Sequence, residues 1–354
     1  MGTFYTHPEQ LDFCDVTIVP TDISSINSRN EPSLQRRFVF KHSGLHLSCV
    51  PIIAANMLTG SFAMADALAE QEMITVLHKH HSIEAYGNFF NNRTFDKLQY
   101  VFYTLGLSDL EAIKYKKVAD LIGYRPPMVC IDVANGYMAK FRDYVARFRD
   151  ENPRAVIMAG NVVTGEAVEQ LLESGADIVK IGIGSGQNCL TRRVTGVGRP
   201  QLSAVLECAD AADLNGGLIC SDGGCSEGGD VAIAFGAGAD FVMLGTMLAG
   251  SDETEGTTYY LDGKPFKEFF GMSSNTAMAR FGNGRPSYKA SEGRTTLVPG
   301  TGPVSNTLEE ICGGVRGAMS MIGAREMHEV SEKTKFIRVR RRLNTTMERY
   351  TTGN

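Results

Sequence analysis

Asp177-Ile178-Val179-Lys180-Ile181-Gly182-Ile183 runs directly into Gly184-Ser185-Gly186-Gln187-Asn188-Cys189, so an apolar, β-branched stretch ends in a glycine-rich turn that carries a cysteine. The run is too short for an ordinary helix and rich in Ile and Val, which predicts a buried strand. Counting this one as 178–184, similar runs recur at 50–57, 73–78, 98–106, 128–134, 155–163, 217–221 and 241–244. Between them lie segments with apolar residues at helical spacing, at 62–71, 108–122, 137–151, 164–174 and 201–212. Near-continuous apolar strands alternating with helices imply a parallel sheet covered by helices on its faces. Eight such strands predict an α/β fold of the closed (β/α)8 TIM-barrel type rather than an open, doubly wound sheet.

The whole chain, 1–354, reads as one barrel domain with three additions. Residues 1–49 form an N-terminal arm, 50–249 the strands and helices of the barrel, 250–302 an insertion after strand eight, and 303–354 a C-terminal extension with a helix over 307–322. Inside the insertion, Asp262-Gly263 separates two strand-like runs, and this dipeptide is favoured in tight turns. A hairpin should therefore project beside the barrel mouth. Ser82 and Thr164 stand where helix N-caps are expected, and Gly175 where a helix should end.

A chain with 43% hydrophobic and 21% charged residues and a formal net charge of -5 is an ordinary globular composition able to bury a large core. That balance argues against nucleic acid as a partner. The basic stretch 333–342 is interrupted by Phe336, Ile337 and Val339, which suits a peripheral strand or helix. No apolar run is long enough to span a bilayer, and Met1–Pro8 lacks a basic region followed by an apolar one, so a cytoplasmic location without membrane contact is expected. Eight cysteines without a Cys-x-x-Cys pair predict free thiols in a reducing compartment. His78-Lys79-His80-His81 has no second cluster at ligand spacing, so no transition-metal site is expected there.

A barrel places chemistry at the C-terminal ends of its strands. Those ends here are polar or glycine-rich: Asn56-Met57, His78-Lys79, Asp132-Val133-Ala134-Asn135-Gly136, Gly160-Asn161, Cys189, Ser221-Asp222-Gly223-Gly224 and Gly245-Thr246. Loops after the last two strands often offer backbone N–H groups to a phosphate. Asp222 either turns the chain or accepts the hydroxyls of a ribose, and the second reading makes the ligand a nucleoside monophosphate. Cys189 is either a small buried hydrophobe or a nucleophile set beside that ligand.

Several separate motifs carry a resemblance. They are Phe40-Lys41-His42-Ser43-Gly44, Val50-Pro51-Ile52-Ile53-Ala54-Ala55-Asn56-Met57, Cys130-Ile131-Asp132-Val133-Ala134-Asn135-Gly136-Tyr137, Ala159-Gly160-Asn161-Val162-Val163-Thr164-Gly165-Glu166, Thr195-Gly196-Val197-Gly198, Ser221-Asp222-Gly223-Gly224-Cys225 and Gly271-Met272-Ser273-Ser274. Over essentially its whole length the chain resembles the IMP dehydrogenase and GMP reductase family, and the reductase branch more closely. The resemblance implies reductive deamination of GMP to IMP and ammonia with NADPH, in a homotetramer. It makes Cys189 the nucleophile that forms a thioimidate at purine C2, with Thr191 and Glu292 as the proton-transfer pair. It gives Asp222, Gly223, Gly224, Gly245 and Thr246 to ribose and phosphate, and Gly271, Met272 and Ser273 to the purine, with Lys289, Ala290, Ser291 and Gly293 completing the nucleotide site. The cofactor would lie on Lys79, Asp132, Val133, Ala134, Ile183 and Gly184, with Ser28 and Arg29 reaching it from a neighbouring subunit. Backbone carbonyls of Gly184, Gly186, Cys189 and Arg192 would hold a potassium ion.

Two features favour the reductase branch. Dehydrogenases of the family usually carry a regulatory module after strand two, whereas Lys79 is followed almost at once by Ser82 and a helix. They also use an Arg-Tyr pair on a mobile flap to hydrolyse the thioimidate, and the insertion has Arg280-Phe281 instead. The chain departs from its relatives at Gln187, Asn188 and Leu190 around the cysteine, at Leu58 in place of aspartate, at Thr246 in place of glycine and at Lys289 in place of arginine. These departures leave open a modified purine nucleotide as substrate. An IMP dehydrogenase-like oxidoreductase and a nucleotide-binding regulator without turnover are the other readings.

Overall fold

A computed structural model describes residues 9–282, 284–340 and 342; the start at Met1–Pro8 and the last part of the C-terminal extension lie outside these residues. Eight parallel strands close into a barrel: β1 (Ile52–Ala54), β2 (Ile74–Val76), β3 (Val101–Leu105), β4 (Met128–Asp132), β5 (Val156–Val162), β6 (Ile178–Ile181), β7 (Leu218–Asp222) and β8 (Phe241–Leu244). Closure is made by β8 on β1, with Val242 opposite Ile52 and Leu244 opposite Ala54. Side chains of one parity, among them Ile53, Val76, Phe102, Met158 and Phe241, fill the barrel interior, and those of the other pack under the helices. Burial on both faces is why the strands read as continuous apolar runs without alternation.

The third expected run starts late. Phe95–Leu98 forms a helical turn, because Asp96 and Lys97 face out while Leu98 packs inward, and the strand begins only at Val101. Ser82 caps its helix through a bond from the Ala85 N–H (3.1 Å). Thr164 occupies the N-cap position of the helix Gly165–Glu173 without capping it: its hydroxyl pairs with Tyr137 (3.0 Å), and the Glu207 carboxylate takes the Gly165 N–H (2.9 Å). Gly175 ends that helix at φ +102°, where a Cβ would stand 2.6 Å from Arg149 Cγ.

The insertion contains the expected hairpin, Thr258–Leu261 against Lys264–Phe270, turning on Asp262 (φ 49°) and Gly263 (φ 76°). A third strand, Thr295–Pro299, joins it and was not foreseen. The basic stretch forms a peripheral strand, Phe336–Arg338, antiparallel to Val16–Ile18. The N-terminal arm adds a hairpin, Arg36–Val39 with His46–Cys49, which reaches the barrel interior by stacking Phe38 on Phe241 (ring centroids 4.3 Å). All eight cysteines are free. Among the described residues no helix is long and apolar enough to cross a membrane.

Asp177 ties this arm to the barrel floor. It is almost fully buried and accepts bonds from Arg149 Nη2 (2.7 Å), from the His42 N–H (2.8 Å) and from the Ile157 N–H (3.0 Å). Removing one partner of a buried pair leaves the other charge uncompensated. Asp177→Ala should therefore lower unfolding stability by about 3–5 kcal/mol, read as a shift of the urea midpoint at unchanged slope.

Candidate active site

Each strand end hands its polar residues to one cleft of about 530 Å³ at the C-terminal mouth of the barrel. A second cleft of equal volume lies on the outer wall between the helices Asp109–Ile122 and Ala139–Glu151, away from the glycine turns and the cysteine loop. The mouth is therefore where chemistry is sought.

Cys189 is half-buried at the end of its turn, while Cys130 and Cys220 sit inside the barrel, where burial pushes both thiols up, Cys130 to about 12. Three segments are stitched around Cys189 by backbone bonds: Leu190 N–H to the Glu292 carbonyl (2.6 Å), Arg294 N–H to the Asn188 carbonyl (3.0 Å) and Glu292 N–H to the Ser273 carbonyl (3.2 Å). The seam is tight enough that a Cβ on Gly293 would stand 3.0 Å from the Ser274 nitrogen, and one on Gly271 2.9 Å from the Asn188 carbonyl. The stitching brings side chains from two loops into a line. Cys189 Sγ lies 3.2 Å from Thr191 Oγ1, which in turn donates to Glu292 Oε2 at 2.8 Å. A thiol, a hydroxyl and a carboxylate in sequence can pass a proton away from the sulfur and return it to a leaving group.

Asp222 ends β7 and is followed by Gly223 and Gly224, both at positive φ; a Cβ on Gly223 would stand 2.7 Å from Ser185 Oγ. Gly245 and Thr246 open a short turn after β8. These five residues line the cleft together with Met272, Ser273, Lys289 and Glu292. Ala290 is exposed, and Ser291 supports the loop, accepting from the Asn275 N–H and donating to the Gly293 carbonyl (both 3.1 Å). The residues expected to meet the cofactor, Lys79, Asp132, Val133, Ala134, Ile183 and Gly184, line the same cleft, and Lys79 is ion-paired with Glu111 (2.6 Å). Ser28 and Arg29 are not among its lining residues; the Arg29 guanidinium lies against Gly317 of the helix Val304–Ile322. The Gly186 carbonyl accepts from the Cys189 N–H (2.9 Å), and the Arg192 side chain is drawn off to Asp12 (2.9 Å). Neutral carbonyl donors of this kind suit a hard monovalent cation.

Asn56 and Asn161, expected only as polar strand ends, line the cleft too, as do His80, Lys180 and Gln187, to which the sequence assigned no role there. Lys180 had a signal: a lysine inside an apolar strand needs a buried anion. Glu255, from the insertion, was also missed. It accepts from His78 Nε2 (2.9 Å) and approaches His81 Nδ1 (3.8 Å), assembling three groups of metal-ligating type. The His80 N–H lies 3.3 Å from His78 Nδ1, so both ring nitrogens of His78 are engaged. Some positions expected to depart from the family pattern have packing reasons. Leu58 is fully buried against Phe269 and Phe270, Asn188 is buried and bonded to the Thr296 hydroxyl (3.2 Å), and Phe281 stacks on His80 (3.9 Å).

Against this geometry the comparisons are consistent. Residues 10–346 match the family described as IMP dehydrogenase / GMP reductase domain. GMP reductases of Escherichia coli O1:K1, of strain E24377A (O139:H28) and of K12 strain DH10B are each 52% identical over 338 residues, covering 95% of this chain and 96% of theirs.

Burial, with the neighbouring His78 and Lys79, pushes His80 down to about 4; burial and His78 also push His81 down, against the pull of Glu255. Groups held neutral in the fold but protonated when unfolded near 6.5 make the unfolded state bind more protons as pH falls. Stability should accordingly decline from pH 6.5 toward pH 4, and His81→Phe should flatten that decline in chemical-denaturation curves taken across the window.

Proposed function

Because this chain belongs to the IMP dehydrogenase/GMP reductase family and is an enzyme, we propose that its cleft converts GMP to IMP and ammonia, consuming NADPH and one proton and releasing NADP+. The observation that carries the reading is the line Cys189, Thr191, Glu292 set beside the glycine turns that follow β7 and β8.

Cys189 gives up its proton toward Thr191 and Glu292, and the sulfur adds to purine C2. The exocyclic amine is a poor leaving group until protonated, and the Glu292 carboxyl supplies that proton through the Thr191 hydroxyl. Departure of ammonia leaves a thioimidate on Cys189. NADPH, when bound, supplies a hydride to C2, after which the C2–S bond breaks and returns the thiolate. Asp222 accepts the ribose hydroxyls, and the turns at Gly223-Gly224 and Gly245-Thr246 offer N–H groups to the phosphate. Lys79, Asp132, Val133 and Ala134 would hold the cofactor, whose polar groups suit a cationic donor, an anionic acceptor and backbone groups. Carbonyls of Gly184, Gly186, Cys189 and Arg192 would hold potassium and so fix the loop that carries the thiol. Arg29 and Ser28 could meet a cofactor only in a neighbouring copy, in keeping with a homotetramer, and the cytoplasm supplies both NADPH and the reducing conditions the free thiols need.

Two observations favour reduction over hydrolysis. The helix Ile83–Asn91 follows β2 with no interval for an inserted module, and the Phe281 ring that stands where the dehydrogenases have tyrosine is occupied in stacking on His80.

Loss of NADPH absorbance with GMP, together with released ammonia, tests the reading directly. Cys189→Ala should abolish turnover while GMP still binds, and Thr191→Val should lower kcat about 10²–10⁴-fold. Turnover surviving in Cys189→Ala, or GMP binding by the wild type without NADPH oxidation, would overturn it.

A further inference from the structure

Lys180 stands in the middle of β6 and is 1% exposed. A buried ammonium persists only where anions compensate it. Two do: Asp132 Oδ1 lies 2.5 Å from Nζ and Asp222 Oδ2 3.2 Å, and both carboxylates line the cleft and stay partly exposed to it. The strand register makes this reach possible. Asp132 of β4 is opposite Gly160 of β5, which is opposite Lys180 of β6, so the three share one level of the barrel. A Cβ on Gly160 would stand 2.6 Å from Lys180 Cβ, so glycine is what lets the lysine lie across β5 toward β4. Asn161 Nδ2 then holds Asp222 Oδ2 from the other side (2.9 Å) and is itself fixed on the Gly182 carbonyl (2.8 Å).

We propose that Lys180 is a positioning residue shared by both ligands: one ammonium holds Asp222 as the acceptor for the nucleotide's ribose and Asp132 as the acceptor for the cofactor. This rests on the placement of the two ligands given above. Neither carboxylate has another cation in direct contact among the described residues, so one side chain fixes the orientation of both. Electrostatics agrees with the geometry. Burial opposes the charge on Lys180, but Asp132 and Asp222 overcome it and raise its pKa; burial likewise opposes the charge on Asp132, but Lys180, Asn56 and Lys79 hold its carboxyl below the usual range. The other ionisable groups facing this level are the buried thiols Cys130 of β4 and Cys220 of β7, which burial keeps protonated, and Lys79 beyond β2. Without Lys180 the two carboxylates would face each other across a lysine-sized gap, and Asp132 would take up a proton at higher pH.

The test is Lys180→Met, which keeps the length and loses the charge, in the full-length protein with folding checked by circular dichroism. GMP and NADPH affinities are measured separately by calorimetry, without turnover, so an inactive wild type would sink the proposed reaction and still leave this test readable. Both affinities should fall at least about tenfold, the size of one lost charge-assisted interaction. The acid limb of kcat/KM for NADPH should move to higher pH, and adding Asp132→Asn should remove that movement. Lys180→Arg, which keeps the charge, should leave the acid limb in place. A folded Lys180→Met that binds either ligand as the wild type does, or that keeps the wild-type acid limb, overturns the proposal. Failure of both the Met and the Arg variants to fold also overturns it, since Lys180 would then serve the barrel alone.

Discussion

The backbone seam between the cysteine loop and the insertion is the constraint on which the site depends. Leu190 and Arg294 donate across it, and through it a carboxylate 101 residues away in the chain reaches the Thr191 hydroxyl. Each such bond is worth only about 1 kcal/mol net, so their effect lies in register rather than strength. Register holds because both sides are anchored. The cysteine loop leaves β6 within a few residues, and Arg294 leads directly into Thr295–Pro299, the inner edge of a three-stranded sheet fixed by Lys264–Phe270. The hairpin beside the mouth is therefore part of the geometry of the site.

Burial explains what could be read in advance. The eight barrel strands are hidden on both faces, so each announces itself as a continuous apolar run, and residues fixed by their own strand end, such as Asp132, Asp222 and Cys189, could be located from the run that precedes them. Elements with one solvated face were quieter. The arm hairpin His46–Cys49 alternates exposed and buried positions over four residues, and Thr295–Pro299 is at most half-buried and ends in proline. Contacts that cross strands were not legible at all, because a register is needed before Lys180 can be placed beside Asp132, or Glu255 beside His78. Gly160 illustrates the limit: as a letter it suggests a turn, and only opposite Lys180 does its missing Cβ acquire a meaning.

Similar logic accounts for positions where the chain leaves the family pattern. Leu58, where a charge was expected from the family resemblance, sits in an apolar cluster with Phe269, Phe270 and Ala277 under the insertion. Asn188 precedes Cys189, and its backbone and side chain both serve the seam, one toward Arg294 and the other toward Thr296. Both residues fasten the insertion, and Asn188 also lines the cleft.

Fastening has a chemical consequence for the proposed reaction. A thioimidate at C2 can be captured by hydride or by water, and the outcome depends on which is admitted. An insertion that must swing to bring a base to the intermediate cannot be stitched to the cysteine loop on one side and packed through Leu58, Phe269 and Phe270 on the other. Here it is both, and the Phe281 ring is held in contact with His80. Alignment of Glu292 with Thr191 depends on that seam, so a change that loosened it would be felt in the rate of the proposed reaction.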